Sequence, residues 1–364
     1  MFFLRPVRED DLDALIDLSK ATAHGLTTLP TDERILGRRI RTSLESFARL
    51  ESEPVPGDAY LLVLTDLESG RVVGTSALFS KVGGFEPFYA YRIKTSLHES
   101  KSLGVRKEVS ALHLVTEHDG PTEIGTLFLL PEARRGGNGR LLSLGRFLLI
   151  AEHRTAFDET VIAELRGVID EKGESDFWEA LGRHFFDVDL PTADFFSVED
   201  KSIIADLMPT QPIYIPLLPK AAQAVIGRVH PLTEPALHLL EAEGFHDAGM
   251  VDIFEAGPVV ECPRDEIRTV RESLVARVVS IDEPEQPGED QPEFLVTRRR
   301  DFRAAMGSFW VSDAGLEISP ALARALEIEV GEEARYAPFR ALRDPARPPS
   351  SASTAARPRG GSVR

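Results

Sequence analysis

The passage that most constrains this chain runs from Thr126 to Leu142: an apolar strand, Thr126-Leu127-Phe128-Leu129-Leu130, then Pro131-Glu132-Ala133-Arg134-Arg135-Gly136-Gly137-Asn138-Gly139, then the apolar start of a helix. Strand, glycine-rich turn and helix in that order bring free backbone N–H groups to the positive end of a helix dipole, where an anion such as phosphate is held. Arg134, Arg135 and Arg140 add fixed cations around the turn. The spacing is not that of a Walker A loop, which needs Gly-Lys-Ser/Thr after four spacers, nor that of a dinucleotide fingerprint with its three spaced glycines. A glycine-rich turn before a helix also serves as plain loop punctuation. The remainder of the chain has to decide between the two.

The chain has 364 residues, which exceeds one small core, so two domains and a tail are expected. Its 42% hydrophobic and 28% charged residues are the balance of a soluble globular protein. No run approaches the eighteen or so apolar residues of a membrane span, and Met1-Phe2-Phe3-Leu4-Arg5-Pro6 is too short and wrongly flanked for a signal peptide. The single cysteine, Cys262, excludes an internal disulfide and a CxxC metal site, and suits a reducing cytoplasm. A formal charge of −17 argues against nucleic acid as a partner and is compatible with a cationic small substrate. An anionic coenzyme would need a locally basic site, which Arg134, Arg135 and Arg140 supply.

Phe2 to Val7 reads as a first strand, and Asp10 as the cap of a helix with Leu12, Leu15, Ile16 and Ser19 at helical spacing. A charged helix follows from about Thr31 to Leu50. Tyr60 to Thr65 and Arg71 to Phe79 form a hairpin around Asp66-Leu67-Glu68-Ser69-Gly70. Glu123 to Leu130 is a strand, Gly139 to Arg154 a largely buried helix, Thr160 to Leu165 a strand, and Phe177 to Phe186 a short helix. A second short helix, Leu237 to Phe245, ends in Gly244-Phe245 and leads to strand-like Val251 to Phe254, an echo of the Trp178 to Phe186 segment. Ile281 to Pro292 is a solvated acidic linker or hairpin loop, Phe294 to Ala341 alternates short apolar runs with turns, and the chain from Arg343 onward has the composition of a disordered tail.

The spacing Arg134-x-x-Gly137-x-Gly139 resembles the pyrophosphate loop of the GNAT acyl-CoA N-acyltransferases, and the order of elements around it is the GNAT order. More specifically, the chain resembles the arginine N-succinyltransferases, including their two-subunit arginine/ornithine form. The stretches that carry the resemblance are Leu4-Arg5-Pro6-Val7, Gly25-Leu26-Thr27-Thr28-Leu29-Pro30, Thr126-Leu127-Phe128-Leu129, Gly137-Asn138-Gly139, the segment Ala163 to Glu171, Phe177-Trp178, Leu207-Met208-Pro209, Pro212-Ile213-Tyr214, Ala224 to Pro231 and Asp252 to Pro258. They fall in family order between residues 4 and 262. Leu130 and Ala133 depart from the acidic and aromatic residues usual there, and Phe196 to Ser202 differs from the usual loop.

The resemblance implies an α/β (α+β) fold: a GNAT-like mixed sheet flanked by helices over residues 1–190, carrying the acyl-CoA site. Residues 191–270 read as a second, degenerate acyltransferase-like half that carries His230, residues 271–342 as a small β-rich module behind the acidic linker, and 343–364 as the tail. It further implies transfer of succinyl from succinyl-CoA, a co-substrate rather than a tightly bound cofactor, to the α-amino group of arginine. His230 is then the proton donor and Leu127 the contact to succinyl-CoA, with Arg134, Arg135, Gly136, Gly137, Asn138 and Gly139 around the diphosphate. A homodimer, or a heteromer with a paralogous subunit, is compatible with this.

Chemistry adds two recognition tasks. A succinyl carboxylate wants a cation, for which Arg92, Lys94 and Arg166 are candidates. A guanidinium wants carboxylates, for which Glu164, Asp170 and Glu171 are candidates, although each of these six also reads as a solvated strand end or turn. Acetyl-CoA with a polyamine, or a non-catalytic partner subunit, are the competing readings. His98, His113 and His118 lack metal-site spacing. Cys262 has no nearby histidine to make it a nucleophile and reads as a small buried hydrophobe.

Overall fold

The computed structural model describes residues 1–22, 29–50, 57–83, 87–282, 294–299, 301–307 and 309–340. Gly25 to Thr28, the acidic linker beyond Asp282 and the tail lie outside the described residues. The strands are β1 (Phe2–Pro6), β2 (Ala59–Asp66), β3 (Val72–Phe79), β4 (Phe88–Ser100), β5 (Val105–Glu117), β6 (Thr122–Leu129), β7 (Thr160–Glu164), β8 (Ile213–Tyr214), β9 (His246–Val251), β10 (Pro258–Pro263), β11 (Leu274–Ile281), β12 (Phe294–Arg298), β13 (Arg303–Gly307), β14 (Phe309–Ser312), β15 (Gly315–Ile318) and β16 (Glu333–Pro338). They form one mixed sheet in the order β14-β15-β11-β16-β12-β13-β1-β2-β3-β6-β7-β10-β9-β4-β5-β8. The helices that matter most are α1 (Leu12–Ala21), α2 (Glu33–Ala48) and α3 (Asn138–Glu152).

The central strands are continuous apolar runs because both their faces are covered. In β2, Tyr60, Leu62 and Leu64 point into the core beneath α3, whereas Leu61 and Val63 point the other way, against Leu15 and Leu18 of α1 and Leu36 and Ile40 of α2. Helix α3 is buried on most faces, with Leu142, Leu144 and Phe147 to Ile150 inaccessible to solvent. A separate aromatic core, Tyr91, Phe177 and Trp178, packs on β4, β5 and β9. The mixed sheet with helices on both faces, and its GNAT-like order through β7, is the fold class that the resemblance implies.

Local expectations needed three corrections. Asp11 rather than Asp10 organises the first helix start: its carboxylate takes Arg5 at 2.7 and 2.8 Å and the Arg8 amide at 2.7 Å. The Phe177 to Phe186 segment is two short helices, Asp176–Ala180 and Arg183–Phe186, because the chain leaves helical geometry at Leu181 (φ −132°, ψ −75°); Gly182 then lies against the Trp178 indole, where a Cβ would come within 2.1 Å of the ring. Val251 to Phe254 is not a strand; β9 ends at Val251, and the Asp252 carboxylate folds the chain into a turn by accepting the amides of Phe254 at 2.8 Å and Glu255 at 2.7 Å. Nothing in the apolar pattern marks the long β4–β5 hairpin, since Thr95 to Val109 is largely exposed beyond its root.

Residues 191–270 supply β8, β9 and β10 to the same sheet as β7, and β13 pairs with β1, so the C-terminal strands extend it at the other side. One buried ion pair ties these parts together. Glu243, on the helix Glu234–Glu243 and fully buried, accepts Arg268 Nε at 3.0 Å and Nη2 at 2.5 Å and the Thr269 amide at 2.7 Å. Arg268 also donates to the Pro338 carbonyl at 3.1 Å, at the end of β16. Glu243→Ala leaves that guanidinium buried without its anion and is expected to destabilise the fold by about 3–5 kcal/mol, read as a lowered midpoint of urea unfolding.

Candidate active site

β6 and β7 run parallel but share only two register positions, Thr122 with Val161 and Glu123 with Ile162. Beyond them the strands part. β6 continues to Leu129, while β7 ends at Glu164. On the other side of β6, the ladder with β3 steps from Thr75–Phe128 to Ala77–Gly125, which leaves Thr126 and Leu127 without ladder partners. Thr126 has φ of 52°, a left-handed conformation that is an outlier for a β-branched residue. Such bulges re-aim the backbone, and the strain they hold collects at functional sites. Leu127 therefore lies where β6 has lost both neighbours.

The glycine-rich turn stands directly above this opening. Arg134 Nε donates to the Leu129 carbonyl at 3.0 Å, and Asn138 Nδ2 to the Ala133 carbonyl at 3.0 Å, so Arg134 and Asn138 brace the turn. Gly136 and Gly137 have φ of 58° and 82°, which glycine adopts at no steric cost. α3 begins at Asn138, and the amides of Gly139 and Arg140, in its first turn, have no carbonyl behind them within the helix. Arg135 and Gly136 are exposed. A Cβ on Gly139 would meet only a Leu129 methyl, at 3.9 Å, so the space over that residue is open. Gly137 is the opposite case: a Cβ there would come within 2.8 Å of Phe339 and 3.1 Å of the Met306 sulfur. Arg140 stacks over the Phe339 ring at 5.6 Å. The C-terminal strands thus form the floor of the turn, a role that no local sequence signal announces.

His230 stands at the β7 side of the opening. Its amide donates to the Arg166 carbonyl at 2.8 Å, just past the end of β7, and its Nδ1 accepts the Leu232 amide at 3.2 Å. That bond assigns the ring hydrogen of the neutral imidazole to Nε2. Burial first, and then the Arg166 guanidinium, hold its pKa below the usual histidine value, which keeps the ring neutral at pH 7.

Around this point gather more carboxyls than the sequence candidates include. Glu164 is exposed at the end of β7, with its carboxyl among those of its neighbours. Burial, then the charges of Glu123 and Asp252, raise its pKa well above the carboxylate range, against Lys201. Glu123 and Asp252 are likewise raised by burial. Asp194, on the helix Leu190–Glu199, is pushed up to about 7 by burial and by Asp252. Glu255 is pushed up to about 8 by burial and Asp252; its ion pair with Arg166 is long, 3.7 Å, and does not offset that. Glu123, Asp194, Asp252 and Glu255 escape sequence reading because they reach the opening from three separate places, strand β6, the helix Leu190–Glu199 and the turn after β9.

Four sequence candidates are not brought here. The Asp170 carboxylate is consumed by its own turn, accepting the amides of Lys172 at 2.8 Å and Glu174 at 2.9 Å, and Glu171 is exposed on that turn. Arg92 and Lys94 are exposed on β4, three strand positions from β7 and so roughly 14 Å across the sheet. Of the proposed carboxylate and guanidinium partners, Glu164 and Arg166 remain at the opening. Cys262 is buried, and burial pushes its thiol up to about 11, which suits a hydrophobe and not a nucleophile. No helix among the described residues is long and apolar enough to cross a membrane.

Comparison with known proteins bears on what this geometry serves. The family model described as arginine N-succinyltransferase beta subunit matches residues 2–269. The arginine N-succinyltransferase subunit beta of Pseudomonas aeruginosa is 43% identical over 344 residues, covering 93% of this chain and 98% of that one. The arginine N-succinyltransferase of Salmonella schwarzengrund is 42% identical, covering 92% and 97%. Among solved structures, arginine/ornithine succinyltransferase subunit AI from Pseudomonas aeruginosa superposes with a TM-score of 0.84 at 32% identity, over 93% of this chain and 99% of that chain. With a match of this extent at both levels, the chain belongs to the arginine N-succinyltransferase family.

Proposed function

We propose that this chain transfers a succinyl group from succinyl-CoA to the α-amino group of L-arginine, with ornithine the other candidate amine, by direct transfer with both substrates bound, as the opening step of arginine breakdown in the cytoplasm. The observation that carries the reading is the parted pair β6 and β7, with its Thr126–Leu127 bulge lying between the glycine-rich turn and His230. The names of full-length relatives at 42–43% identity support the choice of donor and amine.

In this reading the coenzyme diphosphate rests on the turn from Arg134 to Gly139, with the Gly139 and Arg140 amides beneath it and Arg134 and Arg135 beside it. The thioester then lies along Leu127, whose amide meets the negative charge that grows on the carbonyl oxygen; one such donor is worth roughly 2.7–4 kcal/mol in known oxyanion holes. A guanidinium stays protonated, so arginine reacts through its α-nitrogen. The Nε2–H of His230 hydrogen-bonds the departing sulfur, and the proton that the α-nitrogen loses as the amide bond forms and the C–S bond breaks passes through the imidazole or water to the thiolate, which leaves as the free coenzyme thiol. Glu164, Glu255 and Asp194 face the guanidinium, which restores the charged forms that burial disfavours, while the Asp252 carboxylate is held by the amides of its own turn. The subunit names of two relatives favour one variant of this reading, in which the chain works beside a paralogous subunit.

Identification of the product by mass, after incubation with succinyl-CoA and a panel of basic amino acids, tests the reaction itself. Gly139→Ala is expected to leave the unfolding midpoint unchanged, since its Cβ has room, while raising KM for the acyl-CoA about tenfold or more, because that Cβ occupies the approach of the diphosphate. His230→Ala is expected to lower kcat by about 10²–10⁴ and to leave coenzyme affinity, measured by calorimetry, within a few fold. Arginine binding provides the third check. With Asp194 near 7 and Glu255 near 8, these carboxyls are partly or largely protonated at pH 7, and a bound guanidinium draws them into their anionic forms. Binding at pH 7 should therefore release protons, seen as a buffer-dependent enthalpy, and KM for arginine should fall as pH rises through that range. Buffer-independent heats would remove the carboxyls from the amine site.

A further inference from the structure

Arg146 lies in the middle of α3 with 2% of its surface exposed. Its Nε donates to the Ser143 carbonyl at 3.0 Å, its Nη2 to Ser143 Oγ at 3.1 Å, and its Nη1 to the Gly125 carbonyl of β6 at 3.4 Å. These use three of the five N–H groups that a guanidinium carries. Among the described residues no carboxylate pairs with it, and burial alone pushes its pKa down to about 9. A buried cation without an anion is among the most costly groups a core can hold. The other cations at the opening are already met: Arg166 faces Glu255 and Asp194, and Lys201 faces Glu164 and Glu123.

Its position is informative. Eight residues of α3 separate it from Asn138, a drop of roughly 12 Å from the phosphate end of the helix. Gly125, to which it bonds, precedes Leu127 by two residues, roughly 7 Å down β6, at the level where β7 has just parted from it. The guanidinium also lies on its own side of the sheet. Val161 and Ala163 of β7 point into the core around α3, whereas Ile162 points away, and Glu164 and Glu123 share that opposite face. A cation therefore waits beneath the opening and carboxyls stand above it.

We infer that Arg146 binds the terminal carboxylate of the acyl donor, so that the gap between β6 and β7 selects a dicarboxylic acyl group over a neutral one of similar length. This rests on the acyl-CoA reading of the site. The thioester carbonyl sits at Leu127, and the far carboxylate of a four-carbon chain reaches the level of Gly125, where the unused N–H groups of Arg146 receive it. The anion supplies the charge that the core lacks.

Arginine succinylation and butyrylation by succinyl-CoA and butyryl-CoA, in wild type and in Arg146→Met and Arg146→Lys, provide the test. The wild type should favour succinyl-CoA by about 100-fold or more in kcat/KM, because a neutral chain leaves the guanidinium unpaired. Arg146→Met should lose about 100-fold with succinyl-CoA and change less than about threefold with butyryl-CoA, and Arg146→Lys should fall between. An equal loss with both donors overturns the inference while leaving the succinyltransferase reading intact; a wild type that acylates arginine from neither donor sinks that reading instead. Should the variants fail to fold, the wild type crystallised with a non-hydrolysable succinyl-CoA analogue decides. A carboxylate bonded to Arg146 supports the inference, and one seated on Arg166 or Lys201 overturns it.

Discussion

The structure turns on the parting of two parallel strands. A parallel pair normally satisfies its inner amides and carbonyls along its whole length, and interior backbone groups without partners are rare. Here the pairing between β6 and β7 stops at Glu123 and Ile162, deep inside the sheet, and the deficit has to be met otherwise. Arg146 takes the Gly125 carbonyl, and the Thr126 bulge re-aims the backbone of Leu127. The result is a slot in the sheet with a helix N-terminus at its head. Backbone N–H groups at a helix start and a gap between strands then stand in one line, the arrangement that a thioester on a phosphorylated carrier requires.

Charge is sorted around that slot. The chain is strongly acidic as a whole, yet Arg134, Arg135 and Arg140 rim the turn, so an anionic coenzyme meets local attraction against a repelling background. Above the slot the carboxyls of Glu164, Asp194 and Glu255 are crowded enough that burial and mutual repulsion hold them toward neutrality. A crowd of this kind is poised to receive a cation, because each proton lost beside a positive charge relieves a penalty that burial and repulsion have already imposed. His230 is held neutral by the same environment, beside Arg166, so its Nε2–H is available as a donor without a second positive charge near the substrate.

Much of this was legible in the residues. Strand, glycine-rich turn and helix are a local pattern, and Gly137 and Gly139 mark it because only backbone freedom and open space allow it. The strands β1 to β3, β6 and β7 show as apolar runs because both faces are covered. The cluster of raised carboxyls was not legible beyond Glu164, since Asp194, Asp252 and Glu255 are gathered by tertiary contacts. Asp170 misled for a physical reason: a turn aspartate and a ligand-binding aspartate have the same sequence surroundings, and only hydrogen bonds to Lys172 and Glu174 show which it is. Arg92 and Lys94 belong to a hairpin whose exposed half carries no apolar periodicity. The expectation for His230 came from family resemblance rather than from its neighbours, as its segment has no chemical signature of its own.

The C-terminal strands shape the glycine-rich turn even though the family model ends at residue 269. β13 extends the sheet from β1, and β16 brings Phe339 beneath Gly137, against which no larger residue could pack. Arg140 is drawn over the same ring and towards the Phe339 carbonyl at 3.5 Å, while Arg268 clamps Pro338 from the Glu243 side. The left-handed glycine, the ring and the two arginines form one packed unit, so the turn cannot relax without disturbing the last strand. A turn of this kind on a free loop would have to be ordered by whatever it binds, at an entropic cost. Here residues about 200 positions away in the chain have met that cost during folding.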